Sequence, residues 1–231
     1  MITTDTCAIV PVKSLAEAKS RLATVLSAPA RRRLVLAMLD DVLRVLAASA
    51  EVGRIIVVTA DSNVATAAGA AGAQVVREPT SMGLNTAIRH AMHHAGLRAD
   101  TRCLILPADV PLVTTEDIAD LLRDASEGTQ SARVVIAPSH DGGTNALVLD
   151  DHDLMGPSFG ANSFERHLQL AKALHLQPRV VRLPGLGFDI DTPDDLRRLS
   201  QVERYAWLQV EALPSDGTAS HRRHAHAGQL E

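Results

Sequence analysis

Cys103-Leu104-Ile105-Leu106-Pro107-Ala108-Asp109-Val110-Pro111-Leu112 is the stretch from which the rest of this chain is best read. Four apolar residues in succession, with no polar alternation, describe a strand buried on both faces. Pro107 and Pro111 remove backbone donors, so strand pairing ends just where Asp109 appears. Asp109 therefore falls at the carboxyl end of a strand, the edge at which open α/β sheets bind ligands. The next helix does not need it as a cap, because Thr114 with Asp117 three residues on already forms a capping box.

Outward from this strand, apolar runs alternate with helical patterns. Cys7 to Val10, Arg54 to Thr59 and Gln74 to Val76 read as strands. Between them lie a helix from about Ser27 to Ala48, with Leu39, Val42, Leu43 and Leu46 on one face, and a short Ala-rich helix capped by Asp61. A helix from about Asn85 to Leu97 leads into the Cys103 strand. This rhythm predicts a mainly parallel sheet covered by helices on both faces. After Glu127 the pattern changes. Arg133 to Ala137 and Asn145 to Leu149 flank Asp141-Gly142-Gly143, a turn signal that predicts an antiparallel addition on the far side of the sheet. A helix from Ser163 to Leu176 and strands at Arg179 to Leu183 and Asp189 to Asp191 complete a single α/β domain over 1–213. The polar stretch 214–231 is expected to be a disordered tail.

Asp189-Ile190-Asp191 is the second carboxylate segment. In an extended strand two residues one apart share a face, so both acids can serve a divalent cation. Thr192 as N-cap and Pro193 at the first helical position place them at a strand-to-helix junction. With Asp109 they predict three hard oxygen ligands for Mg²⁺; the competing reading is solvated acids in a turn. Between the first strand and the first long helix, Lys13, Lys19 and Arg21 place three cations on a loop leaving a strand's carboxyl end. Such a loop suits a triphosphate, although a solvated amphipathic turn has the same composition.

Composition narrows the function. The chain has 231 residues, 46% hydrophobic but only 2% aromatic, so the core must be Ala, Val, Leu and Ile. A net charge of −4 argues against nucleic acid as a partner. No apolar run reaches the roughly 18 residues of a membrane span, and the start lacks the basic residues of a signal peptide, so a cytoplasmic enzyme is expected. Cys7 and Cys103 fall in buried strands, where a disulfide or metal role is not expected. His90, His93 and His94 read as helix surface, and the His-containing tail matches no zinc ligand spacing. No sequence feature reads an oligomeric state, which leaves a homodimer open.

Six motifs in fixed order now carry a resemblance. They are Pro11-Val12-Lys13 with Ala18-Lys19-Ser20-Arg21-Leu22; Gly83-Leu84-Asn85-Thr86-Ala87; Pro107 to Leu112; Asp141-Gly142-Gly143-Thr144-Asn145-Ala146-Leu147; Phe159-Gly160-Ala161-Asn162-Ser163; and Asp189-Ile190-Asp191-Thr192-Pro193. Over residues 8 to 200 the chain resembles the guanylyltransferases of coenzyme F420 biosynthesis, which act on 2-phospho-L-lactate, phosphoenolpyruvate or 3-phospho-D-glycerate. The resemblance implies a Rossmann-like, nucleotide-diphospho-sugar transferase-like fold. It implies GTP and a small phosphorylated carboxylic acid as substrates, with Mg²⁺ held by Asp109, Asp189 and Asp191. Lys13, Lys19 and Arg21 then match the triphosphate loop, with Lys19, Arg21 and Asp109 the catalytic groups. Gly83, Leu84 and Asn85 resemble the nucleotide-binding turn, and Thr144, Gly160 and Ser163 fall where the acceptor binds. The acceptor assignment has independent sense, since free amides where Gly160 to Ser163 opens a helix favour an anion. Molybdenum-cofactor relatives carry a Gly-rich first loop that this chain lacks. A nucleotidyltransferase for a sugar phosphate or molybdopterin, a metal-dependent glycosyltransferase and a non-catalytic nucleotide-binding regulator are the competing readings.

Overall fold

Seven strands form one sheet in the order β3-β2-β1-β4-β6-β5-β7 in a computed structural model of the chain, which describes residues 6–80, 82–94, 96–97, 101–123 and 133–211. The strands are β1 (Thr6–Pro11), β2 (Val52–Thr59), β3 (Gln74–Arg77), β4 (Cys103–Ile105), β5 (Val134–Pro138), β6 (Thr144–Leu149) and β7 (Arg179–Val180). Pairings are parallel except those of β6, which runs antiparallel to both β4 and β5. The antiparallel element expected at the far side is therefore one strand inserted next to β4. The helices are α1 (Ala28–Ala48), α2 (Ser62–Ala70), α3 (Leu84–His94), α4 (Thr115–Leu122), α5 (Ser163–Ala173), α6 (Pro193–Leu199) and α7 (Leu208–Glu211).

The side-chain period of two builds a core on each face of the sheet. In β1, Cys7 and Ile9 pack with Ile88, Met92 and Phe159 on one side. Ala8 and Val10 pack with Leu34, Leu39 and Val42 of α1 on the other. Strands buried on both faces are what an unbroken apolar run predicts. The predicted caps also form: Ser27 accepts from Ala30, Asp61 from Asn63 and Val64, and Thr114 and Thr192 make capping boxes with Asp117 and Asp195.

Chain order places the functional edge. From β1 the chain steps outward to β2 and β3, then crosses back to β4 on the other side of β1. The carboxyl ends of β1 and β4 diverge at this switch point, and a crevice opens between them. Because β6 is reversed, its first residues, Thr144 and Asn145, arrive at the same edge.

Several boundaries differ from expectation. Asp189 to Asp191 is not a ladder strand; it is an extended segment tied to the sheet by the Ile190 amide donating to the Asp109 carbonyl at 3.1 Å. The turn into α6 explains this, since Asp195 accepts from the Asp191 and Thr192 amides and turns the chain away before pairing can continue. The strand expected at Arg179 to Leu183 shortens to two residues. The helices expected to reach Leu97 and Leu176 end at His94 and Ala173. The expected tail lies outside the described residues. No helix among those residues is long and apolar enough to cross a membrane.

Candidate active site

A cavity of about 600 Å³ opens at this edge. The loop after β1 supplies Lys13, Lys19 and Arg21 to its wall, the segment after β4 supplies Asp109, and the segment before α6 supplies Asp189 and Asp191. Thr144, Gly160 and Ser163 line it as well. Nine predicted site residues thus share one cavity, although up to 178 positions separate them in sequence.

Lys19 occupies the centre of the acidic group. Its Nζ donates to Asp109 Oδ2 at 2.7 Å and to Asp191 Oδ1 at 2.8 Å, while the Arg21 guanidinium lies 3.6 Å from the other oxygen of Asp191. Burial works against the Lys19 charge, but Asp109 and Asp191 outweigh it and hold the ammonium's pKa above its ordinary value. The residue sits at φ 53°, in the left-handed region that a lysine enters rarely. Two charged hydrogen bonds keep it there.

Asp109 and Asp191 meet on Lys19, and the third expected ligand, Asp189, lines the same cavity. Asp189 is buried and turns to Asn145, whose amide nitrogen donates to its Oδ1 at 3.2 Å and to the Leu186 carbonyl at 2.8 Å. His140 lies 3.6 Å from the same oxygen. Among the described residues the set of three groups near enough to share an ion as they stand is Asp151, His152 and Asp153, in the turn after β6 and outside this cavity. Burial, and next the charge of Asp109, push the Asp189 carboxyl's pKa up, with Asn145 opposing. The cluster is thus short of positive charge, and Lys19 is the cation that partly supplies it. Hard carboxylates that already hold a cation in a cavity suit a divalent ion. Asn145 stood within a quoted motif with no role; its position next to the first residue of β6 explains how it reaches Asp189.

At the acceptor end two expectations change. Of the first amides of α5, Ser163 donates to the Gly160 carbonyl at 3.0 Å and Phe164 to the Gly142 carbonyl at 3.3 Å, so neither is free for an anion. The Thr144 hydroxyl meets His167 Nδ1 at 3.0 Å. Gly160 adopts φ 119°, open to glycine only. Ser163 is almost wholly buried and lines the cavity. The turn at Gly83 to Asn85 contributes Leu84 to the wall. Asn85 instead spends both ends of its amide on Phe159, accepting from its N–H at 2.7 Å and donating to its C=O at 3.1 Å. In this arrangement it braces the Gly160 loop.

Sequence reasoning passed over His167. It is fully buried, accepts from the Ser158 amide through Nε2 at 2.9 Å, and packs edge-on against Phe159 at 5.0 Å. The available signal was its spacing of four from both Ser163 and Ala171, which puts it on the apolar face of α5.

The sheet order and the placement of charge at its switch point define a nucleotide-diphospho-sugar transferase-type fold. A putative nucleotide-diphospho-sugar transferase from Desulfovibrio desulfuricans G20 superposes with a TM-score of 0.68 over 89% of this chain and 94% of that one, at 19% identity. Residues 6–201 match the family described as guanylyl transferase CofC like; the chain belongs to that family and is a nucleotidyltransferase. Similar proteins include a phosphoenolpyruvate guanylyltransferase from Sphaerobacter thermophilus, 41% identical over 84% of this chain and 92% of that protein. A 2-phospho-L-lactate guanylyltransferase from Methanothermobacter thermautotrophicus is 38% identical over 83% and 82%. A 3-phospho-D-glycerate guanylyltransferase from Phenylobacterium zucineum is 38% identical over 81% and 86%.

Proposed function

We propose that this chain moves the guanylyl group of GTP to the phosphate of a three-carbon phosphorylated acid, releasing diphosphate, as a cytoplasmic enzyme of coenzyme F420 biosynthesis. The acceptor is phosphoenolpyruvate, 2-phospho-L-lactate or 3-phospho-D-glycerate, the substrates that the relatives' names carry. The observation behind this reading is the Lys19 ammonium held between Asp109 and Asp191 in a cavity with further cations on one wall and the Gly160 loop on another.

The acceptor's phosphate oxygen is anionic at neutral pH, so attack on the α-phosphorus requires no general base. Placement and charge neutralisation carry the reaction. Lys13, Lys19 and Arg21 would bind the triphosphate and offset charge on the departing diphosphate as the α–β phosphoanhydride bond breaks and the new P–O bond forms. Asp109, Asp189 and Asp191 would hold Mg²⁺, which supplies positive charge to the phosphates when bound. Thr144, Gly160 and Ser163 would orient the acid.

The test is diphosphate release by purified protein given GTP, Mg²⁺ and each acid in turn. Release with one acid, and a product carrying both GMP and that acid, is the expected result. No release with any of the three refutes the acceptor class, and release of GDP would instead mark transfer of the γ-phosphoryl group to water or to the acid.

A further inference from the structure

The acceptor wall contains one hydrogen bond whose direction can be deduced. His167 Nε2 faces the Ser158 backbone N–H at 2.9 Å. A backbone amide can only donate, so Nε2 is the acceptor and carries no proton. The ring is then the neutral Nδ1–H tautomer, and its proton lies toward Thr144 Oγ1 at 3.0 Å. Thr144 Oγ1 therefore accepts from the ring, and its own proton remains to be given elsewhere. Among the described residues His167 is the one hydrogen-bond partner of that oxygen, and Thr144 lines the cavity.

We propose that His167 is a positioning residue for the acceptor: by occupying a lone pair of Thr144 Oγ1, its imidazole turns the Thr144 hydroxyl into a donor toward the acid's charged oxygens. A donor fixed in advance suits an anion and rejects a cation or a second donor, which makes the pair a selector for acidic acceptors. The same ring also sets the loop that carries Gly160. It anchors the Ser158 amide and packs against Phe159, whose backbone Asn85 grips from the other side. Burial, and next the nearby Arg166 charge, push the His167 pKa down to about 4, so the ring stays neutral and keeps this tautomer at working pH.

This inference rests on the acceptor assignment above, and the experiment separates the two. Steady-state kinetics with GTP and each of the three acids varied in turn would compare His167→Leu, His167→Asn, His167→Gln, Thr144→Val and the Thr144→Val/His167→Leu double variant. An Asn side chain places its N–H near the Nδ1 position and can still donate to Thr144, whereas Gln reaches the Nε2 position and serves only Ser158. The Leu and Gln variants should lose about ten- to a hundredfold in acceptor kcat/KM with the GTP KM little changed. The Asn variant should recover most of that loss. Adding His167→Leu to Thr144→Val should cost little more than Thr144→Val alone. Equal losses toward both substrates, rescue by Gln as complete as by Asn, or fully additive losses would overturn the proposal and leave His167 a core residue. Should Thr144→Val alone spare acceptor kinetics, the acceptor assignment falls first and this inference with it. If the Leu variant does not fold, the Asn and Gln pair with Thr144→Val decides the matter.

Discussion

Lys19→Met isolates the cation at the centre of the site, because Met keeps the apolar stem and removes only the charge. The Lys19 side chain is 9% exposed and those of Asp109 and Asp191 are 30% and 38% exposed. Removing one partner of a fully buried ion pair costs about 3 to 5 kcal/mol, and a surface pair is worth at most about 1 kcal/mol. A buried cation between acids about one-third exposed lies between these limits, so the metal-free variant should lose about 2 kcal/mol. For a domain of this size that is a fall of about 4 to 8 °C in melting temperature. Asp109 and Asp191 then lack their counter-charge, so Mg²⁺ should stabilise the variant more than the parent; the ion no longer competes with the ammonium. Turnover should fall by about a hundredfold or more, since a charged donor to the triphosphate is gone. Thermal melts in EDTA and in Mg²⁺, with diphosphate release measured in parallel, provide the check. An unchanged melting temperature in EDTA would refute the structural role assigned to Lys19, and parental turnover would refute its role in catalysis.

Asp109→Asn and Asp191→Asn should each abolish diphosphate release while circular dichroism shows the fold intact; parental turnover in both would remove the metal assignment. Gly185→Ala should destabilise the protein by about 1 to 3 kcal/mol, read from urea midpoints, because the added methyl would stand 2.5 Å from the Leu112 carbonyl and 3.0 Å from the Val113 Cα. Asp195 gives a dependence on pH: burial opposes its charge, but Thr192, through side chain and amide, and the Asp191 amide outweigh it and lower the carboxyl's pKa. A lowered folded-state pKa contributes stability above the unfolded value near 3.8 that is lost as pH falls through the folded one. Asp195→Ala should therefore cost about 1 kcal/mol at pH 7, with the gap to the parent closing below about pH 3.8; a gap that is constant down to pH 2 would show the box to be worth the same protonated.

Where the structure follows local rules, the sequence alone was sufficient. Apolar runs of β1, β2 and β4 specify strands because burial on both faces leaves no polar alternation. Ser27, Asp61, Thr114 and Thr192 specify helix starts because a short side-chain oxygen satisfies an amide two or three residues on. Strand patterns placed Asp109 at one strand's carboxyl end and Lys19 on a loop leaving another, and hence at one sheet edge, which Asp189 and Asp191 reach on a segment outside the ladder. Tertiary structure decided what no local pattern encodes. That Lys19 bridges two acids 90 and 172 residues away depends on which strands become neighbours. Asp189 meets Asn145 because the reversed strand β6 begins at the same edge; the Asp141-Gly142-Gly143 turn announces the reversal but not that β6 lies beside β4. Asn85 braces Phe159 and His167 sets the direction of the Thr144 hydroxyl because α3, α5 and β6 are packed around one loop. Propensity and periodicity act within a few residues, whereas the donors and acceptors of this site are paired across the whole chain, and only the packed fold brings each within hydrogen-bond distance of the other.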